Sequence, residues 1–241
     1  MEFKKNIIIT GSSGQIGQAF VEHLSNSQSN YYIYALDKKV FDHNKKNVLS
    51  VEIDITKEDE VLDFFLNIDT LYGLVNNAGI GVFSPFLSRS VDEFREVLDV
   101  NLVGTFLMCR ESIKVMLKYK LGKIINIGSI YGVNSSDYRI YGDSGRNNSE
   151  VYSISKSGII MFTKYLAANF ASKNIQINTI SPGGIEREQS SDFINNYVNK
   201  TPAGRMGTPH DLLPALDFLL SLKNEYTNGE NILVDGGFTK W

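Results

Sequence analysis

The fold is decided by one stretch near the start of the chain, Ile7-Ile8-Ile9-Thr10-Gly11-Ser12-Ser13-Gly14-Gln15-Ile16-Gly17. Its β-branched run is typical of a buried parallel strand, and a helical pattern follows the glycines. Glycines let the backbone turn tightly and approach a pyrophosphate, while the helix N-terminus offers free N–H groups and partial positive charge. This order of strand, turn and helix predicts a dinucleotide site. The predicted contacts are Gly11, Ser13, Gly14, Gln15, Ile16 and Gly17.

A second strand-like run, residues 31–36, ends at Asp37, which lies 20 residues after Gly17. A carboxylate at this place can hydrogen-bond the adenosine ribose hydroxyls and repels a 2′-phosphate. The sequence therefore predicts NAD as the cofactor. Lys38 and Lys39 follow directly and could attract that phosphate, so NADP stays the less favoured alternative.

Strand-like and helix-like segments alternate along the rest of the chain. Apolar runs recur at 48–53, 71–75, 123–127, 175–180 and 231–234, with helical patterns near 14–26, 57–67, 91–118, 151–172 and 209–221. Such alternation predicts an α/β fold, a doubly wound parallel sheet (Rossmann fold) of about seven strands with helices on both faces. We expect residues 1–241 to form a single NAD(P)-binding domain.

Composition narrows the function further. The chain has 241 residues, 42% of them hydrophobic, and a net charge of −3 without a basic patch, so nucleic acid is not an expected partner. The single cysteine, Cys109, excludes an internal disulfide and fits a reducing compartment. No apolar run reaches the roughly 18 residues that a membrane span needs. The three histidines have no metal-ligand spacing. We expect a cytoplasmic protein without a metal site.

Tyr152 and Lys156 stand four residues apart in the run Val151–Gly158, which places both on one face of a helix. A lysine ammonium stabilises a phenolate, so we expect it to lower the tyrosine pKa from its usual value of roughly 10. Such a tyrosine can give or take a proton at a carbonyl or alcohol oxygen. The alternative is two ordinary positions on an amphipathic helix, and only the other motifs decide between these interpretations.

Four elements in order resemble the short-chain dehydrogenase/reductase family: Thr10–Gly17, Asn76-Asn77-Ala78-Gly79, Ser129 and the Tyr152/Lys156 pair. Asn101, Pro182-Gly183 and the ending Val234-Asp235-Gly236-Gly237 also match. The resemblance covers almost the whole chain. It implies an oxidoreductase that interconverts an alcohol and a ketone by hydride transfer, acts on a small molecule and forms a homotetramer or homodimer.

By the same resemblance, Tyr152 is the general acid/base, and Lys156 holds the nicotinamide ribose. Ser129 would hydrogen-bond the substrate oxygen, and Asn101 would support a water that leads to the lysine. The remaining cofactor contacts that the resemblance implies are Asp54 and Ile55 near the adenine, Asn77, Ala78 and Gly79 after the fourth strand, and Pro182, Gly183 and Ile185 at the nicotinamide.

Two features depart from the short branch of this family. The glycines are spaced Gly-x-x-Gly-x-x-Gly, and 22 residues separate Ser129 from Tyr152. Both features, with the run Ser129-Ile130-Tyr131-Gly132, look like the epimerase-like branch that acts on nucleotide sugars. The mixture is similar to reductases associated with bacterial nonulosonate and flagellin-glycan synthesis. That narrower likeness is carried by Ser129–Val133 and Ser181–Ile185.

The polar segment 132–150 joins Ser129 to Tyr152, so it is predicted to form one wall of the substrate pocket. Its two cations, Arg139 and Arg146, could pair with a substrate phosphate, and Tyr131 adds a phenol. These residues favour a sugar, sugar phosphate or nucleotide sugar as substrate. A 3-oxoacyl-thioester reductase is the second hypothesis, disfavoured by the acidic balance, and a non-catalytic cofactor-binding regulatory subunit is the third.

Overall fold

The computed structural model describes residues 5–142, 144 and 146–241. Its strands form one seven-stranded sheet in the order β3-β2-β1-β4-β5-β6-β7, and every neighbouring pair is parallel. The doubly wound parallel sheet predicted from the sequence is confirmed. The strands are β1 Asn6–Thr10, β2 Tyr32–Asp37, β3 Val48–Glu52, β4 Gly73–Asn76, β5 Gly122–Ile127, β6 Ile175–Pro182 and β7 Asn231–Val234.

Helices connect these strands and cover the sheet. They are α1 Gln15–Ser25, α2 Glu58–Phe65, α3 Val91–Leu98, α4 Thr105–Tyr119, α5 Glu150–Phe170, α6 Ser191–Asn199 and α7 Leu213–Leu220. The pattern near 91–118 predicted one helix, but a π-helical turn, Asp99–Gly104, separates α3 from α4. None of the helices in the described part of the chain has both the length and the apolar character to cross a membrane.

The sheet buries both faces because successive side chains of a strand point to opposite sides. On one face, Ile8 and its neighbours in the sheet pack against α2, α4 and the C-terminal half of α5. On the other face, Ile7 and Ile9 pack with Phe20 of α1 and Leu216 of α7. All these strand residues are fully buried, so the carboxyl edge of the sheet is held rigidly.

That edge carries the reversal in strand order. From β1 the chain proceeds outward to β2 and β3, whereas β4 starts on the other side of β1 and the chain then proceeds to β7. The connections after β1 and β4 therefore diverge, and they leave a crevice at the carboxyl ends of the strands, where open α/β sheets bind ligands.

A third apolar cluster stands beyond this edge. Ile130 and Ile140, from the segment before α5, pack with Tyr197 of α6 and with Met206. The segment 132–150, predicted to be polar, is thus anchored by the buried Ile140, and a short 3₁₀ turn, Tyr138–Tyr141, lies within it, while another, Ile130–Gly132, leads into it.

Candidate active site

A cleft of about 1100 Å³ runs along the carboxyl edge of the sheet. We call one part the glycine half, lined by Gly11, Gly14, Gln15, Ile16, Asp37, Asp54, Ile55, Asn77, Ala78 and Gly79. We call the other part the aromatic half, lined by Phe83, Tyr131, Tyr141, Phe193 and Tyr197. Ser129, Tyr152 and Lys156 lie between them, and so do Pro182, Gly183 and Ile185.

The glycine turn has no room for side chains at two positions. Gly11 has φ +63°, and a Cβ there would lie 2.7 Å from the Cα of Ala78. A Cβ on Gly17 would lie 2.1 Å from the carbonyl oxygen of Gly11. Helix α1 begins just after Gly14 without a side-chain cap, so its first N–H groups are open to the cleft, as a pyrophosphate requires. The residues present fit a dinucleotide.

Asp37 ends β2 beside this turn. Its carboxylate accepts hydrogen bonds from the backbone N–H of Ser13, at 3.0 Å, and of Lys39, at 3.2 Å. The Nζ of Lys38 lies 2.9 Å from Asp54 Oδ2. Lys38 is therefore paired with a neighbouring carboxylate, whereas Asp37 lines the cleft and forms no ion pair within the described residues.

Asp54 is fixed by the residues around it. Burial raises the pKa of its carboxyl, but hydrogen bonds from Thr56 and Lys38 outweigh this and hold that pKa below its ordinary value. The hydroxyl of Thr56 donates at 2.7 Å and its N–H at 3.0 Å. An ionised, oriented carboxylate thus stands where the resemblance implies the adenine, next to Ile55.

Asn77 binds the end of β4 to the glycine turn. Its side-chain amide donates to the carbonyl oxygens of Thr10, at 3.1 Å, and Gly11, at 2.9 Å. The hydroxyl of Thr10 accepts from the backbone N–H of both Asn77 and Ala78 at 3.1 Å. The amide of Asn77 is consequently engaged in positioning the turn, and it borders the cleft together with Ala78 and Gly79.

Tyr152 and Lys156 stand in the first two turns of α5, which Ser149 caps by accepting from the N–H of Tyr152 at 3.3 Å. The ammonium of Lys156 lies 5.6 Å from the centre of the Tyr152 ring and donates to the carbonyl oxygen of Ile127 at 2.7 Å. The hydroxyl of Ser129 interacts with that of Tyr152 and favours the ionised phenol. Ser129, Tyr152 and Lys156, which were predicted from their motifs, therefore lie together in the cleft.

Burial dominates the titration of these groups. It lowers the pKa of Lys156 to about 8, and it raises the pKa of Tyr152 although the hydrogen bond from Ser129 acts in the opposite direction. The expectation that Lys156 lowers the tyrosine pKa is therefore wrong for the protein groups alone. The physical reason is that desolvation disfavours both charged forms, and the ammonium is directed at the carbonyl of Ile127.

Asn101 lies in the π-helical turn and is completely buried. Its amide nitrogen donates to the carbonyl of Ile80 at 3.0 Å and to the hydroxyl of Ser155 at 2.9 Å, and its oxygen accepts from the N–H of Ile80 at 2.8 Å. A Cβ on Gly79 would be within 3.4 Å of both Asn101 Oδ1 and Lys156 Nζ. Asn101 therefore joins the loop after β4 to α5 beside the lysine.

Beside the predicted Tyr131, the aromatic half contains Tyr141, Phe193 and Tyr197, which motif analysis missed. Burial raises the pKa of both Tyr131 and Tyr141, whose hydroxyls interact with each other, and the N–H of Asn148 opposes the rise for Tyr141. The ring of Tyr141 lies 5.2 Å from that of Phe193. Tyr197 stacks on Phe238 at 4.6 Å, and its hydroxyl accepts from the N–H of Gly184. Nothing in the sequence pattern links these rings, because they come from segments far apart in the chain.

The two arginines predicted to bind substrate differ in position. Arg139 is exposed and pairs with Asp137 at 2.8 Å, outside the lining of the cleft. The structure therefore does not bring Arg139 to the site. The guanidinium of Arg146 lies 4.4 Å from the centre of the Phe83 ring, at the rim of the aromatic half. Asp143 and Gly145, in the same segment, are outside the described residues.

The nicotinamide end predicted from the resemblance follows β6. The N–H of Gly183 donates to the carbonyl of Val234 at 2.9 Å, and a Cβ at Gly183 would lie 2.9 Å from the Cα of Asp235. Ile185 pairs with Gly207 in a short parallel bridge. Within the described residues, no group of three or more His, Cys, Asp or Glu side chains is arranged to hold a metal ion.

The chain matches the family model described as enoyl-(acyl carrier protein) reductase over residues 13–239. It is 36% identical to 3-oxoacyl-(acyl-carrier-protein) reductase of Aquifex aeolicus, covering 96% of this chain and 86% of that one. It is 32% identical to 2-dehydro-3-deoxy-D-gluconate 5-dehydrogenase of Formosa agariphila, covering 97% and 92%. A short-chain dehydrogenase of Leptospira borgpetersenii, solved with bound NAD⁺, is 45% identical with a TM-score of 0.92, covering 98% and 93%.

The chain belongs to the short-chain dehydrogenase/reductase family. It is an NAD(P)-dependent oxidoreductase, as the order of its motifs indicates. The arrangement of Ser129, Tyr152 and Lys156 beside a dinucleotide cleft can move a proton at an alcohol or carbonyl oxygen while a hydride is transferred.

Proposed function

We propose that the protein uses NAD(H) to interconvert an alcohol and a ketone on a polyhydroxylated substrate, a sugar, sugar phosphate or nucleotide sugar, and that residues 1–241 act as one catalytic domain. The observation that carries the proposal is the position of the Ser129–Tyr152 hydroxyl pair. It lies between a half that fits a dinucleotide and a half that presents the phenols of Tyr131 and Tyr141. Hydroxyl groups of a substrate would find partners there.

Each central residue has a role in this proposal. Tyr152 gives or takes the proton of the substrate oxygen, and Ser129 donates a hydrogen bond to that oxygen. Lys156, with a pKa of about 8, stays mainly protonated at neutral pH and supplies positive charge beside the phenol. Asn101 keeps the loop after β4 against α5. When bound, the nicotinamide accepts or gives the hydride.

The preference for NAD is supported by the charges at the end of β2. A 2′-phosphate would meet the carboxylate of Asp37, and Lys38 is already paired with Asp54. The Leptospira relative was solved with NAD⁺. We propose that the adenosine end is held by Asp37, Asp54 and Ile55, the pyrophosphate by the turn from Gly11 to Gly17, and the nicotinamide end by Asn77, Ala78, Gly79, Pro182, Gly183 and Ile185.

A sugar-type substrate is supported by residues in and near the cleft. Tyr131, Tyr141 and Asn148 line it, and Arg146 lies over the ring of Phe83, where it could serve as a donor for an anionic group. One curated relative is named for a sugar acid. The runs Ser129–Val133 and Ser181–Ile185 resemble reductases of bacterial nonulosonate and flagellin-glycan synthesis, which favours an assignment to that group.

A second candidate is reduction of a 3-oxoacyl thioester. The Aquifex relative carries that name, and the matched family model is described as an acyl-carrier-protein reductase. An acyl chain needs an apolar groove, whereas the tyrosines Tyr131 and Tyr141 stand beside Phe83 and Phe193 in the aromatic half. We therefore rank this candidate below the sugar.

The two candidates are separated by a turnover screen. NADH oxidation and NAD⁺ reduction are followed with sugar phosphates, nucleotide sugars, sugar acids and acetoacetyl-CoA, and Tyr152→Phe is the matched blank. Turnover of a polyhydroxylated compound with a much higher kcat/KM than acetoacetyl-CoA supports the proposal. The opposite ranking overturns it in favour of the second candidate.

We also propose that the protein is a cytoplasmic homotetramer or homodimer. Apolar side chains stay exposed on the outer side of α4 and α5 and in the turn before α4, namely Val103, Phe106, Ile154, Met161 and Tyr165. Such residues on two adjacent helices fit an interface between copies of the chain. Sedimentation at micromolar concentration tests this, and a single 27.0 kDa species would contradict it.

A further inference from the structure

Arg187 lies in the segment that follows β6, which lines the cleft. The backbone of this segment is fixed, because the N–H of Glu186 donates to the carbonyl of Gly207 at 2.8 Å and the N–H of Arg187 donates to Gln189 Oε1 at 2.6 Å. The side chain of Gln15 donates to the carbonyl of Glu186 at 2.8 Å. The residue before Arg187 is therefore hydrogen-bonded directly to the first turn of α1.

Arg187 is exposed, lines the cleft and forms no ion pair within the described residues, although Glu186 and Glu188 flank it in sequence. Other arginines of the chain do have one: Arg205 pairs with Asp211 at 2.7 Å, and Arg110 pairs with Glu111 at 2.6 Å. An arginine at a ligand cleft without an internal counter-ion is suited to bind an anionic group of the ligand.

Two other cations that line the cleft have partners within the protein. Lys38 is paired with Asp54, and Lys156 donates to the carbonyl of Ile127. The backbone of Lys39 is held at the end of β2, because its carbonyl accepts from the hydroxyl of Ser13 and its N–H donates to Asp37. Arg187 differs from Lys39 in its place, because the residue before it is hydrogen-bonded to Gln15 in the first turn of α1.

We propose that Arg187 binds the diphosphate of the dinucleotide from the side opposite to the N-terminus of α1. The inference rests on the proposed dinucleotide binding and assigns a residue to it that no motif indicated. The diphosphate carries two negative charges, and the helix N-terminus offers only partial positive charge. The guanidinium supplies the full charge and up to two parallel hydrogen bonds. The bond from Gln15 to Glu186 holds the two sides at a fixed separation.

The test measures dissociation constants of NADH and ADP-ribose by calorimetry for the wild type, Arg187→Gln and Arg187→Lys. The matched control is Arg95→Gln, an exposed arginine on α3 that does not line the cleft. We expect Arg187→Gln to weaken both ligands by about tenfold, because a charge-assisted hydrogen bond is lost. Arg187→Lys should recover part of the affinity, and Arg95→Gln should match the wild type.

ADP-ribose carries the diphosphate without the nicotinamide, so it locates the effect. Equal binding of both ligands by wild type and Arg187→Gln would overturn the proposal, as would a loss for NADH alone. An increase in KM for the substrate with unchanged NADH affinity would assign the guanidinium to the substrate instead. If the wild type binds neither ligand, the proposed function fails together with this inference. Unfolding temperatures of the variants show that each is folded.

Discussion

The two halves of the cleft are built by different kinds of contact. In the glycine half, positions are set through the backbone: Gly17 packs on the carbonyl of Gly11, and Asn77 and Asp37 bond main-chain atoms of the turn. In the aromatic half, rings and hydroxyls set the surface, as with Tyr141 on Phe193. A substitution in the glycine half is therefore expected to shift the backbone. A substitution in the aromatic half is expected to change the side chains that a substrate meets and to leave the backbone in place.

The largest effect is expected where the two halves meet. Tyr152→Phe removes the proton-transfer group and keeps the ring, so kcat should fall by about a thousandfold, while the dissociation constant of NADH stays within about twofold. Stopped-flow turnover and calorimetry measure the two quantities. Wild-type kcat in the variant would refute the proposed role of Tyr152, and a parallel loss of NADH binding would show that the ring also positions the cofactor.

Gly17→Ala tests the backbone contacts of the glycine half. The new Cβ would be placed 2.1 Å from a carbonyl oxygen that cannot rotate away, so we expect a loss of more than about 3 kcal/mol in the free energy of unfolding. Gly14→Ala is the matched control, because its Cβ would lie 3.4 Å from the same oxygen and its φ is −74°. Urea unfolding measures both variants. Equal stability of the two would contradict the packing argument.

Lys156 gives a pH dependence with a defined sign. Its pKa of about 8 in the folded protein is below its ordinary value of 10.5, so the unfolded chain binds more protons between these two values. The stability of the wild type relative to Lys156→Met should therefore rise with pH by about 3 kcal/mol in total. Urea unfolding at several pH values in this window measures the difference. A flat difference would show that the lysine keeps an ordinary pKa.

The same contrast explains what the sequence could predict. Glycines 11, 14 and 17 follow a continuous β-branched strand, and both signals are local, so the fold and the place of the cofactor turn were predictable. The wall formed by Tyr141, Phe193 and Tyr197 was not, since the rings come from segments about 50 residues apart and show no period. Helix α6 was also missed, because its residues are mostly polar.

Ion pairs and pKa shifts were harder to predict from the sequence than the fold, because they depend on tertiary contacts. Arg139 and Arg146 are equivalent in sequence, yet only Arg139 forms an ion pair with Asp137. Nothing in the sequence predicted the ion pair between Lys38 and Asp54. The spacing of Tyr152 and Lys156 predicted a lowered pKa for the tyrosine, but burial raises that pKa. Spacing along a helix fixes which residues are neighbours, and it does not fix how far water is excluded from them.

The smallest effect is expected from Tyr141→Phe, which changes one hydroxyl in the aromatic half. The ring should stay against Phe193, while the interactions of the hydroxyl with Tyr131 and with the N–H of Asn148 are lost. For the best polyhydroxylated substrate of the screen, kcat/KM should fall by about fivefold through KM, a loss typical of one neutral hydrogen bond. NADH affinity and the kcat at saturating substrate should not change.

Tyr138→Phe is the matched control, because Tyr138 belongs to the same 3₁₀ turn but is 71% exposed and does not line the cleft. A fall for Tyr141→Phe and none for Tyr138→Phe would assign the effect to the cleft hydroxyl. If kcat/KM for acetoacetyl-CoA falls as much as kcat/KM for the sugar, the Tyr141 hydroxyl shapes the wall of the cleft but does not recognise substrate hydroxyls. Wild-type kinetics in both variants would mean that the aromatic half selects its substrate by shape alone, since every other ring contact is kept.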